Sequence, residues 1–197
     1  HIMRRRQRQM CIRDRTSANF EKALVALSNR KFFKNISISR GIEREALRSN
    51  LNGVISKTPH PKSLGSALTN PFITTDFAEA LIEMVTPTFD TVEGLHSFLE
   101  NLDFFVKENL NDEILWNASM PCELGDEKQI QIAEYGVSNT GRLKNIYRRG
   151  LRERYGSAMQ CVSGIHYNFS LSKKSWQDFL NQNESVSYTH LRAHETG

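Results

Sequence analysis

Two short segments place polar residues at every second position among apolar, strand-forming residues. The segment GIEREALR carries Glu43 and Glu45, and the segment SGIHYNFSL carries His166 and Asn168. Because successive side chains of a strand point to opposite faces of a sheet, each pair shares one face. Two nearby carboxylates repel each other unless a cation or a proton lies between them. A divalent metal with oxygen ligands, such as Mg²⁺, would resolve that repulsion, so the pattern predicts strands that carry a polar site.

The rest of the chain alternates between helical and strand patterns, with no internal repeat. Apolar residues recur at helical spacing over residues 92–110, and a second helix is predicted after the turn SNTG at residues 138–141. The pattern further predicts a helix over 20–27, strands over 36–47 and 159–171, a loop from Gly53 to Pro71, and a loop over 74–77 that leads into a buried strand around Glu83.

Both ends of the chain look foreign to the part between them. RRQRQMCIRDR at 5–15 and VSYTHLRAHET at 186–196 resemble reading-frame translations of the transposase adaptor sequences used in shotgun DNA library preparation. We therefore expect residues 1–15 and 186–197 to be non-native tails that lack native contacts, and we expect residues 16–185 to be the biological sequence.

The tails change how the charge of the chain is interpreted. The whole chain has a formal net charge of +4, but residues 1–15 alone hold six arginines and one aspartate. Residues 1–15 therefore carry a net charge of +5, and residues 186–197, with one arginine and one glutamate, carry none. Residues 16–185 are left with a net charge of −1. The basic composition therefore gives no support for a nucleic-acid partner or a membrane surface. The zinc-like spacing of His190 and His194 also falls in a tail.

The cysteines favour a reducing compartment. Cys122 and Cys161, the two cysteines outside the tails, follow no metal-binding spacing and are expected to be buried structural thiols. The sequence shows no secretory signal and no long apolar span. We therefore expect a cytoplasmic protein with no membrane partner.

Each candidate site residue has an ordinary structural alternative. Glu43 and Glu45 could form a solvated strand edge, and Asp76, which follows two threonines, could cap a helix. His166 could be a core histidine with a satisfied ring. Glu83 is harder to explain in this way, because it lies within the apolar run ALIEMV, where a buried carboxylate needs a partner or a metal.

Five segments of the chain closely resemble the bacterial glutamate-cysteine ligase family. They are GIEREALR at 41–48, PHPKSLGSALTNPFITTDFAEALIEMVTP at 59–87, LWNASMPC at 115–122, IAEYGVSNTGRLKNIYRRGLRERYG at 132–156 and MQCVSGIHYNFSL at 159–171. The resemblance implies an α+β fold, in which an antiparallel sheet with packed helices forms a glutamine synthetase-like carboxylate-amine ligase domain. Family chains are more than twice as long, so the resemblance implies an incomplete N-terminal part that is inactive alone.

The resemblance also implies a reaction and a set of site residues. Family members use ATP to join the γ-carboxylate of L-glutamate to L-cysteine through a γ-glutamyl phosphate, the first step of glutathione biosynthesis. The implied residues are Glu43, Glu45, Asp76 and Glu83 as ligands of Mg²⁺ (or Mn²⁺), His166 and Asn168 in the catalytic metal and phosphate region, and Phe77, Tyr147, Leu151 and Gln160 in the cysteine pocket. The last four have packing as their alternative role.

Two other functions stay open from the sequence. One is a related ligase that joins glutamate to a different acceptor amine. The other is a non-catalytic basic binding module, which the net charge of −1 over residues 16–185 disfavours.

Overall fold

The structure, a computed structural model, describes residues 36–182 together with Val25 and Ser28. Both of those single residues are helical, and the rest of the helix predicted over 20–27 lies outside the described residues. The two predicted tails, 1–15 and 186–197, also lie outside them, so the tails stay a prediction.

Residues 36–182 form five strands and three α-helices. The strands are β1 (Ile38–Asn50), β2 (Ile73–Thr75), β3 (Leu81–Val85), β4 (Glu113–Trp116) and β5 (Ile165–Leu171), and the helices are α1 (Val92–Glu108), α2 (Asn139–Tyr155) and α3 (Lys173–Gln182). Short 3₁₀ turns occupy Lys62–Leu64, Glu127–Gln129 and Ala158–Cys161. In this described part, no helix combines the length and the apolar character that a bilayer crossing requires.

The chain divides into two compact units. The larger unit, Ser39–Phe169, contains most of the sheet. The smaller unit includes residues 36–38 and 170–182 of the described chain. Within it, the Ser172 hydroxyl accepts a hydrogen bond from the Ser175 amide, and the Ser172 amide donates to the Ser37 carbonyl at 3.0 Å. The start of α3 is thereby tied to the residues before β1.

The sheet of the larger unit has the strand order β2-β3-β1-β4, and β5 also pairs with β1. The pairs β1–β3, β1–β4 and β2–β3 are antiparallel. Residues 43–47 of β1 pair with β3, and residues 47–50 pair with β4, so this long strand is the centre of the sheet. The expected antiparallel sheet with helices is therefore confirmed.

The two faces of the sheet carry different groups. On one face, Ala46 of β1 and Met84 of β3 pack with Val106 of α1 in a fully buried apolar cluster. On the other face, Leu47 and Leu81 pack in a second cluster. Because directly paired residues share a face, Glu43, Glu45 and Glu83 lie on the face of this second cluster. We call it the carboxylate face.

Two predicted segments contain a different secondary structure from the one expected. The predicted strand over 159–171 begins only at Ile165, because Gln160 donates its amide to Ser157 and closes a 3₁₀ turn that buries Cys161. The predicted loop over 74–77 contains the end of β2, since Thr74 and Thr75 pair with β3. In both segments, hydrogen bonds formed in the folded chain outweigh the local pattern.

Helix α2 begins in close contact with the segment before it. Its N-cap Ser138 accepts a hydrogen bond from the Gly141 amide at 3.1 Å. A Cβ atom built on Gly141 would lie 2.5 Å from the Tyr135 carbonyl oxygen and 3.0 Å from that of Gly136. Glycine is therefore required at this position for steric reasons.

We predict that Gly141→Ala destabilises the chain by about 1–3 kcal/mol, because the methyl group forces backbone atoms apart. Gly150→Ala in the same helix is the matched control, since a Cβ there meets nothing within 4 Å. That control should be neutral or stabilising by up to about 1 kcal/mol, owing to the higher helix propensity of alanine. Urea denaturation of both variants measures the difference, and equal stabilities would contradict the steric role of Gly141.

Candidate functional site

The carboxylate face is built by the register of β1 and β3. Glu45 lies directly opposite Glu83, and Glu43 lies two residues away along β1. Asp76 follows β2 and is held next to β3 by a hydrogen bond from its amide to the Leu81 carbonyl at 3.0 Å. All four predicted carboxylates are partly buried, so solvent screens their mutual repulsion incompletely.

Strand β5 brings the predicted histidine and asparagine to the same face. His166 Nδ1 lies 3.3 Å from a carboxylate oxygen of Glu43, and Asn168 donates its side-chain amide to the other oxygen at 3.2 Å. Just before β5, the Gly164 amide donates to the Glu45 carboxylate at 2.7 Å. The predicted two-residue spacing thus places both polar pairs together in space.

The electrostatic effect of this crowding is largest at Glu83. Burial, followed by the negative charges of Asp76, Glu45 and Glu43, raises the pKa of Glu83 to about 7, and Arg148 opposes the shift. Burial also raises the pKa of Glu45, against the effect of its hydrogen bond from Gly164. The face therefore holds more negative charge than its own protein partners neutralise, which is the condition under which a cation or a proton binds.

The four carboxylates have the donor chemistry that Mg²⁺ and Mn²⁺ prefer, and His166 adds an imidazole at the edge of the set. Within residues 36–182, no three His, Cys, Asp or Glu side chains are already placed to hold one metal ion. The oxygen donors and the excess negative charge fit a hard divalent cation.

The predicted cysteine-pocket residues occupy different environments. Phe77 is fully buried in the apolar cluster of the carboxylate face, and Leu151 of α2 packs against that cluster. Gln160 is partly buried in the 3₁₀ turn before β5. Tyr147 is 62% exposed on α2. The structure therefore gives Phe77 and Leu151 a packing role, and it leaves Tyr147 open to contact with a ligand.

Three further residues support the site and were not predicted from the sequence. Glu79 is buried and accepts hydrogen bonds from the amides of His60 at 2.8 Å and Glu134 at 2.7 Å.

Tyr135 is buried and donates its hydroxyl to the Thr75 carbonyl at 2.6 Å. Arg148, which the sequence places among the basic residues of α2, donates Nε to the Asp76 carbonyl. Their local sequence carries no signal of these contacts.

Two open cavities lie away from the predicted residues. One has a volume of about 610 Å³ and is lined in part by Lys128, Asn145 and Arg149. The other has a volume of about 710 Å³ and includes Gly156 in its lining. None of the ten predicted site residues lines either cavity. The candidate site is therefore a sheet surface with a charged face, and not one of these two cavities.

Sequence comparison finds one family along most of the chain. The family model described as glutamate-cysteine ligase matches residues 22–195. A curated glutamate–cysteine ligase from Sodalis glossinidius (strain morsitans) is 48% identical over 161 residues, which cover 79% of this chain and 31% of that protein. The chain therefore spans less than a third of the length of this relative.

Two solved structures have a similar fold. The glutamate–cysteine ligase of Francisella tularensis, in complex with AMP, matches with a TM-score of 0.73 and 42% identity, over 77% of this chain and 30% of that one. A bifunctional glutathione synthetase from Pasteurella multocida matches with a TM-score of 0.65 and 36% identity, over 77% of this chain and 19% of that one. These matches confirm the expected α+β fold as part of a larger ligase fold.

We predict that Glu83→Gln stabilises the chain in the absence of divalent cations at pH 8, and has a smaller effect at pH 5. The folded-state pKa of Glu83 is raised from 4.5 to about 7, so its contribution to stability is present at low pH and is lost as the pH rises through 7. Glutamine is neutral throughout. After allowance for solvent screening, we expect a gain of about 1–2 kcal/mol at pH 8.

Calorimetry in a chelating buffer measures this effect as a rise in Tm of about 3–6 °C at pH 8. Glu123→Gln, which neutralises an exposed carboxylate, is the matched control, and its rise in Tm at pH 8 should be smaller than that of Glu83→Gln. An equal change in Tm at pH 5 and pH 8 would show that the charge of Glu83 does not destabilise the folded chain.

Proposed function

This chain belongs to the glutamate-cysteine ligase family, and from that premise we propose that it supplies the acidic part of an active site that uses ATP to join L-glutamate to L-cysteine. The proposal rests on one observation. Glu43, Glu45 and Glu83 lie on one face of β1 and β3, and Asp76 lies beside them. The product bond joins the γ-carboxylate of glutamate to the amine of cysteine, and the reaction is the first step of glutathione biosynthesis.

The chemistry explains why such a face is needed. A carboxylate is a poor acyl donor, so ATP first phosphorylates it to a γ-glutamyl phosphate. This step brings a polyanion against an anion, and the site must neutralise charge where it develops. When bound, Mg²⁺ or Mn²⁺ supplies that neutralisation. We propose that Glu43, Glu45, Asp76 and Glu83 hold the cation.

We propose that His166 and Asn168 orient the Glu43 carboxylate and face the phosphate region. Their contacts with the two oxygens of Glu43 restrict rotation of that carboxylate. The His166 side chain is 59% exposed, so its second nitrogen is accessible to a ligand. Because an ionised carboxylate only accepts hydrogen bonds, Nδ1 carries the proton that faces Glu43, and the second nitrogen donates to a phosphate oxygen only when the imidazole is charged.

We propose that the cysteine acceptor binds beside α2 and the turn before β5, with Tyr147 and Gln160 as polar contacts and with Phe77 and Leu151 as the apolar packing behind them. Phe77 and Leu151 share one apolar cluster, which suits the side chain of cysteine. Tyr147 and Gln160 bring polar groups from α2 and from the 3₁₀ turn. The partners proposed for the whole enzyme are thus three small molecules: L-glutamate, L-cysteine and ATP.

The structural cysteines agree with a cytoplasmic setting for this reaction. Cys122 and Cys161 are buried free thiols. Burial, together with a smaller contribution from Cys122, raises the pKa of Cys161 to about 12, and burial also raises the pKa of Cys122. Thiols of this kind are unreactive at neutral pH. Cys122 and Cys161 would therefore not react in place of the thiol of the cysteine substrate.

We predict that Glu43→Gln lowers turnover by roughly 100-fold or more and changes the Tm by less than about 2 °C, because the carboxylate acts on phosphoryl transfer and not on packing. The measurement uses a complete enzyme in which this chain replaces the segment that it matches in the Sodalis glossinidius ligase. Glu100→Gln, on the exposed surface of α1, is the matched control. Equal turnover in the two variants would refute the metal assignment.

The identity of the acceptor is tested in the same enzyme. We predict that ATP consumption requires both glutamate and cysteine, because phosphorylated glutamate is released as product only when the acceptor amine attacks it. A coupled assay of ADP formation is run with cysteine, with other amino acids and with no acceptor. The comparison shows whether cysteine is the acceptor amine. Turnover that requires glutamate but is indifferent to cysteine would instead identify a related carboxylate-amine ligase with another acceptor.

A further inference from the structure

The segment Thr75–Phe77 lies at the centre of the proposed site. Asp76 belongs to the carboxylate set, and Phe77 belongs to the proposed acceptor pocket, so two functions depend on adjacent residues. Thr75 is the last residue of β2, so the regular pairing of β2 with β3 ends just before Asp76 and Phe77. The Asp76 amide still bonds to the Leu81 carbonyl of β3, so the carbonyls of the segment are the backbone groups that need partners outside the sheet.

The three consecutive carbonyls of this segment all accept hydrogen bonds from outside the sheet. The Tyr135 hydroxyl lies 2.6 Å from the Thr75 carbonyl and 3.2 Å from the Asp76 carbonyl. Arg148 Nε also donates to the Asp76 carbonyl. The Ala133 amide donates to the Phe77 carbonyl at 2.9 Å. Among the described residues, Tyr135 thus has a hydroxyl within hydrogen-bond distance of two of the three carbonyls.

Tyr135 is itself firmly held. It is 6% exposed, and the Arg148 guanidinium lies 4.8 Å from the centre of its ring, with the Lys144 ammonium at 4.9 Å. Cations at this distance from an aromatic ring are attracted to it. The close approach of Gly141 to the Tyr135 carbonyl fixes the start of α2 against the same residue. The hydroxyl therefore has little freedom to move away from the carbonyls.

We propose that Tyr135 is a positioning residue for the ligase reaction, whose hydroxyl fixes the backbone at Thr75 and Asp76 and so sets the directions of the Asp76 carboxylate and the Phe77 ring together. The inference rests on the proposed function. Through Tyr135, one hydrogen-bond donor connects the cation-binding and acceptor-binding parts of the site. A displacement of about 1 Å at such a point lowers the rate by roughly 100-fold in well-oriented reactions.

The test is Tyr135→Phe, which removes the hydroxyl and keeps the ring and its cations. In the complete enzyme described above, we expect kcat to fall by roughly 10- to 100-fold, and both the KM for cysteine and the Mg²⁺ concentration for half-maximal rate to rise. In the 197-residue chain, we expect amide hydrogen exchange at residues 75–78 to accelerate by about 10-fold or more. Tyr155→Phe, at a 60% exposed position on α2, is the matched control and should change none of these values.

A second variant keeps the test decisive if Tyr135→Phe does not fold. Arg148→Met removes the other donor to the Asp76 carbonyl and should accelerate exchange at Asp76 and Phe77 in the same direction. A lower Tm with unchanged kcat, KM and local exchange would overturn the proposal, because it would show a merely structural tyrosine. If the parent enzyme makes no γ-glutamyl product, the proposed function fails, and the exchange measurement still decides whether Tyr135 fixes this segment.

Discussion

The antiparallel register of β1 and β3 is the constraint on which the site depends. It places Glu45 opposite Glu83 and keeps Glu43 on the same face. A slip of one residue would turn each of these carboxylates to the opposite face and bring apolar residues such as Ala46 out of their cluster. The apolar residues of the two strands therefore hold the charged ones together, since the register that buries Ala46 and Met84 is also the register that concentrates the negative charge.

The opposite face of the sheet stabilises this arrangement by ordinary packing. Arg44 forms an ion pair with Asp103 of α1, and α1 packs its apolar residues on β1 and β3. The carboxylate face combines an apolar cluster with a row of charges, so repulsion between the carboxylates acts in a medium less polar than water. The strong packing of one face thus permits an electrostatically unfavourable arrangement on the other.

The parts of the site that follow strand periodicity could be predicted from the sequence. Spacing of two residues was sufficient to group Glu43 with Glu45 and His166 with Asn168, and the apolar run around Glu83 indicated an unusual carboxylate. Tyr135 and Glu79 could not be found in this way, because Tyr135 bonds to Thr75, 60 residues away, and Glu79 bonds to Glu134, 55 residues away, and both contacts are defined only by tertiary packing. The start of β5 was missed for a related reason, since the turn that precedes it is stabilised by burial of Cys161.

The pairing of β5 with β1 has a consequence for how the protein is made. Glu43 and Asn168 are 125 residues apart in sequence. At a synthesis rate of about 5–20 residues per second, β1 leaves the ribosome roughly 6–25 s before the strand that contacts its carboxylates exists. During that interval, one edge of β1 has no β5 to pair with, and such an edge can pair with other chains. The charged residues that define the site therefore also protect the nascent strand, because Glu43 and Glu45 make it a poor template for aggregation.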